Sequence, residues 1–314
     1  MIRFGIIGTN WITDIFLKDA LTHPEFTIGA IFSRTENKGR MFADKYDIKH
    51  VFTDMNDMFQ CAEIDAVYIA SPNSLHAKQS ILAMQNGIHV LCEKPAVTSV
   101  SEMKKVIAAS KIHRVTYMEA MKSTVTPTFL NITRNLGKIG KIRRLVFHYN
   151  QYSSRYDNYK KGIIENAFKP ELGNGARMDL GVYCLAPLVH LVDEPKSVVK
   201  NTFLLSTGAE GQGSMILNYD EFEAVIMYSK ITDSYYPSEI QGEKGVIEID
   251  EINAPKKVTI KYRGGRTEDI SVKHEHGNMY YELAEFITCI YNKQIESDIN
   301  THERSLKVTK LLTI

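Results

Sequence analysis

Two kinds of sheet in one chain are predicted here: an α/β region on parallel strands, then an α+β region on antiparallel ones. Three features carry this expectation. Continuous apolar runs alternate with helical patterns through the first third of the chain. One of those runs ends in a charged pair and a proline, Glu93-Lys94-Pro95. From Ile142 onward, strand-like runs follow one another with glycine turns and no helices between most of them.

The first run, Ile2–Ile7, ends at Gly8, and Ile12, Ile15, Phe16 and Leu21 then recur at helical spacing. Strand, glycine turn and helix form the opening unit of a dinucleotide-binding (Rossmann) domain, with the helix N-terminus aimed at a pyrophosphate. Gly8 stands at the first position of the G-x-G-x-x-G pattern, while Asn10 and Thr13 replace the second and third glycines. Asparagine tolerates left-handed φ better than most residues, so the turn is retained.

Further units repeat the alternation: strand Phe26–Phe32, helix Thr35–Tyr46, strand Ala66–Ala70, helix Ser74–Asn86 and strand His89–Leu91. Strands alternating with helices imply a parallel sheet with right-handed crossovers, buried on both faces. At the end of the second strand a carboxylate would bind the ribose hydroxyls of NAD(H). The residues there are Ser33-Arg34-Thr35, with Lys38 and Arg40 close behind. A guanidinium suits a 2′-phosphate, so Ser33, Arg34 and Lys38 favour NADP(H), with Glu36 the carboxylate that NAD(H) would use.

Two strand ends complete this first reading. Pro72 stops the strand before it, and Asn73 or Ser74 can cap the next helix, which puts Ser71, Asn73 and His76 over the cofactor cleft. His76 there reads first as a structural hydrogen-bonder. Val90 and Leu91 call for burial, yet Glu93 and Lys94 are costly to bury unpaired. Pro95 fixes its own φ and drives Lys94 toward an extended conformation. Lys94 is thereby held at the carboxyl end of a strand, where open α/β sheets bind ligands.

Strand Arg114–Met118 and connecting helix Thr126–Leu136 lead into the second region. Its strands are read at Ile142–Tyr152, Val198–Leu205, Gly213–Tyr219, Glu223–Ser229, Ser238–Gln241, Val246–Ile249, Lys257–Tyr262 and Thr267–Val272. Between the first two lies Gly173-Asn174-Gly175, opening into a helix on which Asp179 and Tyr183 share a face at i and i+4. The preceding stretch carries Tyr152, Arg155, Tyr156, Tyr159 and Lys160, a mixture suited to a polyhydroxylated ligand and equally to ordinary loop surface. Met279–Tyr291 is an amphipathic helix.

Collinear pieces of the chain resemble the glucose-fructose oxidoreductase / inositol dehydrogenase / MocA (Gfo/Idh/MocA) family. They are Gly5–Ile12, Ile64–His76, Gly87–Pro95, Met118-Glu119-Ala120 and Asp179–Tyr183, of which E-K-P and D-x-x-x-Y are the most specific. The resemblance implies a Rossmann domain over residues 1–121. Over residues 122–314 it implies an α+β substrate and oligomerisation domain with a large open, mostly antiparallel sheet. The last helix, Ser305–Leu312, could pack on either. It also implies nicotinamide-linked redox chemistry on a sugar, polyol or related carbonyl. Gly8, Thr9, Asn10, Trp11, Ile12, Ser33, Arg34, Lys38, Ser71, Pro72, Asn73, His76, Glu93 and Lys94 would line the cofactor site. Lys94, Asp179 and Tyr183 would line the catalytic cleft, with Arg155 and Tyr156 toward the substrate. In that arrangement Lys94 polarises the substrate oxygen, Tyr183 moves the proton and Asp179 orients its neighbours. Many family members carry histidine where Tyr183 stands, so Lys94 is the other candidate for proton donor.

Composition narrows the remaining classes. With 38 basic against 37 acidic residues among 314, the net charge of +1 gives no reason to expect nucleic acid or an anionic membrane as partner. No apolar run approaches a membrane span. Cys61, Cys92, Cys184 and Cys289 lack metal-ligand or C-x-x-C spacing, so no metal is expected and reduced thiols of a cytoplasmic protein are. A homodimer or homotetramer through the second sheet is expected. Two other readings are a cofactor-sensing regulator without chemistry and an NAD-assisted glycosidase.

Overall fold

The computed structural model describes residues 1–61 and 63–314. The chain divides into two compact units, Met1–Met121 with His276–Thr309, and Lys122–Glu275 with Lys310–Ile314.

The first unit opens with β1 (Ile2–Ile7), α1 (Trp11–Ala20), β2 (Phe26–Phe32), α2 (Glu36–Tyr46), β3 (His50–Phe52) and α3 (Met55–Phe59). It continues with β4 (Ala66–Ile69), α4 (Asn73–Gln85), β5 (His89–Glu93), α5 (Val100–His113) and β6 (Tyr117–Ala120). The strands form one sheet in the order β3-β2-β1-β4-β5-β6, every pair parallel. Every residue of β4 is buried, because both faces of the sheet are covered. Alternate side chains feed two apolar layers: Ala66 and Tyr68 join Phe4, Phe16 and Leu17, whereas Val67 and Ile69 join Val90, Met103 and Val106. Phe16 stacks on Tyr68 with ring centroids 3.7 Å apart.

β3 and α3 lie outside the sequence reading. β6 also begins three residues later than expected. Arg114 closes α5 in a left-handed conformation (φ 55°), and its amide bonds back to the Ser110 carbonyl, so the chain straightens only beyond it.

The second unit contains α6 (Pro127–Asn135), β7 (Ile142–Asn150), α7 (Tyr156–Lys160) and α8 (Val182–Val192). Seven strands follow: β8 (Ser197–Leu204), β9 (Glu210–Asn218), β10 (Glu223–Ser229), β11 (Ser238–Gly242), β12 (Gly245–Ile249), β13 (Val258–Tyr262) and β14 (Thr267–Asp269). They join β7 in one sheet ordered β14-β13-β12-β11-β7-β10-β9-β8. Only β7 and β10 run parallel; the other pairs are antiparallel. Both sheets are of the class the sequence predicts. Leu145, Phe147, Ala224, Ile226, Ile240 and Ile247 are fully buried on one face. Their alternation with half-exposed neighbours is the period-2 signal of a sheet covered on one side.

The chain then returns to the first unit through α9 (Asn278–Tyr291) and the start of α10 (His302–Leu312). Leu283 and Phe286 enter the layer of Phe4, whose ring lies 5.9 Å from that of Phe286. Among the described residues no helix is long and apolar enough to cross a membrane.

Candidate functional site

In the first unit the carboxyl ends of the strands meet where the strand order reverses, between β1 and β4. That is the place at which doubly wound sheets bind ligands. Gly8 turns the chain there with φ +119°, and a Cβ at this position would lie 2.5 Å from the Ala70 carbonyl oxygen. Only glycine fits so close an approach. Asn10, standing where the fingerprint has its second glycine, is the N-cap of α1: its Oδ1 accepts from the Ile12 amide at 3.0 Å and more weakly from Thr13. Its Nδ2 donates to the Ala70 carbonyl at 2.6 Å, so one side chain ties the glycine turn to the end of β4. Thr13, at the third position, is buried and donates its hydroxyl to the Gly8 carbonyl. The replaced glycines are therefore hydrogen-bonding positions. Thr9 and Trp11 flank the cap, Trp11 being more than half exposed, while Ile12 packs against the core.

Ser33 is buried at the end of β2, and Arg34 and Lys38 are exposed at the start of α2. Arg40 is held by the Glu36 carboxylate at 2.9 Å. Arg34 and Lys38 make no ion pair among the described residues.

The turn after β5 is fixed from three sides. Glu93 is buried and accepts a 2.7 Å hydrogen bond from the Tyr68 hydroxyl; the Lys94 amide points back to its other oxygen at 3.2 Å. Glu119, on the adjacent strand β6, accepts the Ala96 amide at 3.0 Å and the Ser305 hydroxyl at 2.9 Å. Burial raises the Glu119 carboxyl above its ordinary range, against these two donors. His76 is fully enclosed, its Nδ1 at 2.9 Å from the Pro95 carbonyl and its Nε2 at 2.8 Å from the Ser71 carbonyl. Desolvation lowers its pKa. His76 thus clasps the end of β4 to the turn that carries Lys94, the structural role that its sequence context suggested. The Lys94–Pro95 bond is cis. Ser71 donates to Gln79 at 2.6 Å, and Asn73 opens α4 directly after Pro72.

In the second unit Asp179 and Tyr183 lie on consecutive turns, but not on a uniform α-helix. Arg177–Gly181 is a π-helical turn that feeds α8, and the Val182 amide reaches back to the Arg177 carbonyl. The simple i, i+4 relation therefore gives way to a widened turn. Gly181 permits it to sit on the sheet, since a Cβ there would lie 3.0 Å from the Tyr228 ring. Tyr183 is buried, edge-on to Tyr149 at 5.6 Å, with the Lys122 ammonium 5.7 Å over its ring. Burial pushes the Tyr149 phenol up to about 12.

Asp179 forms an ion pair with Lys230, a lysine only 5 % exposed that also donates to the Ala167 carbonyl at 2.8 Å. Sequence reasoning missed Lys230, which follows a strand and is 51 residues from its partner. Arg177 sits on Glu210 at 3.3 Å, and Glu210 also accepts the Tyr228 hydroxyl at 3.0 Å. Arg155 pairs with Glu165 at 3.4 Å. Tyr156 packs with Tyr159 and Phe168 in a small apolar cluster. The Lys160 ammonium bonds the Tyr152 hydroxyl at 2.7 Å.

Residues 2–121 match the Gfo/Idh/MocA model described as an oxidoreductase family with an NAD-binding Rossmann fold, and residues 135–248 match the Gfo/Idh/MocA C-terminal domain. The chain is 49% identical over 312 residues to scyllo-inositol 2-dehydrogenase (NADP(+)) IolU of Bacillus subtilis, covering 99% of this chain and 95% of that protein. It is 40% identical over 290 residues to the uncharacterized oxidoreductase YgjR of Escherichia coli, covering 92% and 88%. Among solved structures, a 3-ketoreductase from Actinomadura kijaniata in complex with NADP and TDP-benzene superposes with TM-score 0.88 over 99% of this chain and 95% of that one. At 20% identity that likeness is one of fold.

Proposed function

Since the chain belongs to the Gfo/Idh/MocA family of NAD(P)-linked oxidoreductases, we propose that it is an NADP(H)-dependent dehydrogenase of a cyclic polyol or sugar. The observation that carries the polyol is the 49% identity, end to end, with an NADP(+)-dependent scyllo-inositol 2-dehydrogenase.

A dinucleotide fits the first unit on observations of this chain. Gly8 lets the backbone pass where a Cβ would strike Ala70, the N-terminus of α1 faces the strand-end crevice, and the β2 end offers Arg34 where NAD(H) would need a carboxylate. Glu36, the nearest acid, is engaged by Arg40, which favours the 2′-phosphate reading. The remaining cofactor contacts fall to Thr9, Asn10, Trp11, Ile12, Ser33, Lys38, Ser71, Pro72, Asn73, Glu93 and Lys94. His76 supports them from beneath.

NADP+ held there would supply the hydride acceptor for the substrate carbon. The protein's part is to move the hydroxyl proton and to stabilise negative charge on oxygen. Lys94 supplies the positive charge at that oxygen, Tyr183 takes the proton, and Asp179 orients the reacting groups. In the reverse direction the same phenol returns the proton to the alkoxide. Arg155 and Tyr156 belong to the wall facing the substrate's other hydroxyls.

A second copy of the chain docks on the uncovered face of the eight-stranded sheet. Val199, Ile216, Val225 and Val146 stand in register across β8, β9, β10 and β7, an apolar row facing out of the unit. A cytoplasmic location is part of this reading, and the four free thiols Cys61, Cys92, Cys184 and Cys289 are compatible with it.

Steady-state assays with inositols, aldoses and small diols, each with NADP+ and NAD+, test this reading. Reduction of NADP+ by an inositol or sugar is expected. Binding of NADP+ without turnover would instead indicate a sensor, and sugar hydrolysis without net NADPH a redox-assisted glycosidase.

A further inference from the structure

Lys230 is the most deeply buried ammonium seen at the candidate site, and nothing in the dehydrogenase chemistry calls on it directly. Burying a lysine is costly unless its charge and its three donors are met. Here they are met from two different segments. Asp179, on the π-helical turn, takes one N–H as an ion pair. The Ala167 carbonyl takes another at 2.8 Å, and the Phe168 ring lies 5.2 Å beneath the ammonium.

The backbone of Lys230 is equally committed. Its amide donates to the Gly211 carbonyl at 2.9 Å, and its own carbonyl accepts the Ser153 amide at 2.9 Å. The residue is therefore joined to β9, to the start of the tyrosine-bearing stretch, to the end of that stretch and to Asp179.

Other charges near the turn are occupied elsewhere. Arg177 is held by Glu210, which also accepts the Tyr228 hydroxyl. The remaining titratable groups on the elements packed against the turn are Arg143, Arg144, His148 and Tyr149 on β7, Glu223 on β10, and Tyr183, Cys184 and His190 on α8, with Arg143 paired to Glu243 and Arg144 to Glu223. Of the two cations Lys230 and Arg177, Lys230 is the one bonded to Asp179.

We infer that Lys230 is a positioning residue: its ammonium locks the Asp179 carboxylate against the Ala167–Phe168 turn, setting the direction of that carboxylate together with the wall of the substrate pocket. The inference deepens the dehydrogenase reading and rests on it for the role of Asp179. It makes Lys230 an indirect contributor, acting through a carboxylate and a turn. Lys230→Met keeps the length and apolar stem and removes the charge; Lys230→Arg keeps the charge.

The experiment compares wild type, Lys230→Met and Lys230→Arg for kcat and KM with NADP+ and the best polyol. Thermal midpoint and NADP+ affinity are measured in parallel. Lys230→Met is expected to raise KM for the polyol about tenfold or more as the carboxylate and the wall lose their lock, while NADP+ affinity stays at the wild-type value. Lys230→Arg restores most of the loss. A Lys230→Met enzyme with the wild-type KM and only a lowered kcat or thermal midpoint overturns the inference, since that is what a merely structural lysine gives. Should the wild type oxidise no polyol, the dehydrogenase reading fails separately. A double-mutant cycle on thermal unfolding with Lys230→Met and Asp179→Asn then decides: non-additive losses support the locking contact, and additive losses refute it.

Discussion

The Nδ1 of His76 lies 2.9 Å from the carbonyl oxygen of Pro95, the residue directly after Lys94. With Nε2 at 2.8 Å from the Ser71 carbonyl, the imidazole bridges two neighbouring strand ends. A neutral imidazole carries one N–H, so the two contacts cannot both be full donations at once, and the ring is held by position as much as by bonding. Replacing it by alanine leaves two enclosed carbonyls without their partner. His76→Ala is expected to lower stability by about 1–3 kcal/mol and to lower kcat by loosening the Lys94 turn. Urea unfolding and steady-state kinetics on the same preparation check this; unchanged values of both would show that the bridge is idle.

The histidines also set a pH dependence. Burial lowers the pKa of His76 and of His302 below the ordinary 6.5. Each is therefore held neutral in the fold and takes up its proton only on unfolding. As pH falls below 6.5 the unfolded chain binds more protons than the native one, and stability falls with it. Glu119 works with the opposite sign. Its raised carboxyl binds a proton in the fold before it would in the unfolded chain, a contribution lost as pH rises from 4.5 through the folded value. Urea midpoints recorded between pH 7.5 and about 5 should decline toward acid. The decline should be shallower for His76→Gln and steeper, at its acid end, for Glu119→Gln.

The helix cap on α1 gives a prediction in which stability and binding move together. Asn10 Oδ1 meets two amides of the first turn, and Nδ2 anchors the turn to Ala70. Asn10→Ala should cost about 1 kcal/mol of stability, a typical loss for a cap. It should also weaken NADP+, since the turn beneath the phosphates loses its tie. Calorimetric titration with NADP+ beside thermal unfolding reads both quantities; weakened binding without any loss of stability would exclude the cap as the cause.

The proposed contact with the 2′-phosphate is tested at Arg34. An exposed guanidinium at the strand end, with no ion pair among the described residues, can meet a 2′-phosphate, while Glu36 is committed to Arg40. A charge-assisted bidentate contact is worth about 1.5–3 kcal/mol, so Arg34→Ala should weaken NADP+ by about 10- to 100-fold. NAD+ should bind as before. An equal loss for both dinucleotides would remove Arg34 from the discrimination.

How much of this was readable in the chain differs by element. Ile2–Ile7 and Phe26–Phe32 were read with the observed limits because their apolar runs stop at a glycine and at a serine. Glu223–Ser229 was read for another reason: one face of β10 is buried and the other is not, which stamps a period of two on the sequence. β3, three residues long, and α3, five, are too short to carry either period. The Gly8 turn is legible in the sequence, whereas the cap that Asn10 puts on α1 and its bond to Ala70 depend on a strand end 60 residues away that only the fold brings near. Lys230 had no local signal. A lysine at a strand end resembles countless solvated lysines, and only the fold brings it to Asp179.

The row of apolar side chains on the second sheet predicts an assembly. Val199 pairs with Ile216, Ile216 with Val225 and Val225 with Val146, and the first two are exposed by 63% and 43%. Ile216→Lys places a charge at the centre of that row without entering the buried face. Light scattering is expected to show an oligomer for the wild type and a folded monomer for Ile216→Lys; a monomeric wild type would refute the assembly. A variant of unchanged mass would move the interface elsewhere.

Removal of one hydroxyl and of one ammonium separates the two proton donors that the chemistry allows. Tyr183 is buried against Tyr149 with Lys122 over its ring, so Tyr183→Phe retains the ring packing and removes only the phenolic oxygen. If the phenol moves the proton, kcat should fall about 10²- to 10⁴-fold with NADP+ affinity unchanged. Lys94→Ala should cost about 10²–10³-fold through loss of charge at the developing alkoxide. A Tyr183→Phe enzyme within a few-fold of wild type, together with a severe Lys94→Ala defect, would transfer the proton to Lys94. The rising, acid-side limb of the oxidation pH profile offers an independent check, because the group that accepts the proton must be deprotonated for alcohol oxidation. That limb should therefore vanish in whichever variant lacks it and persist in the other.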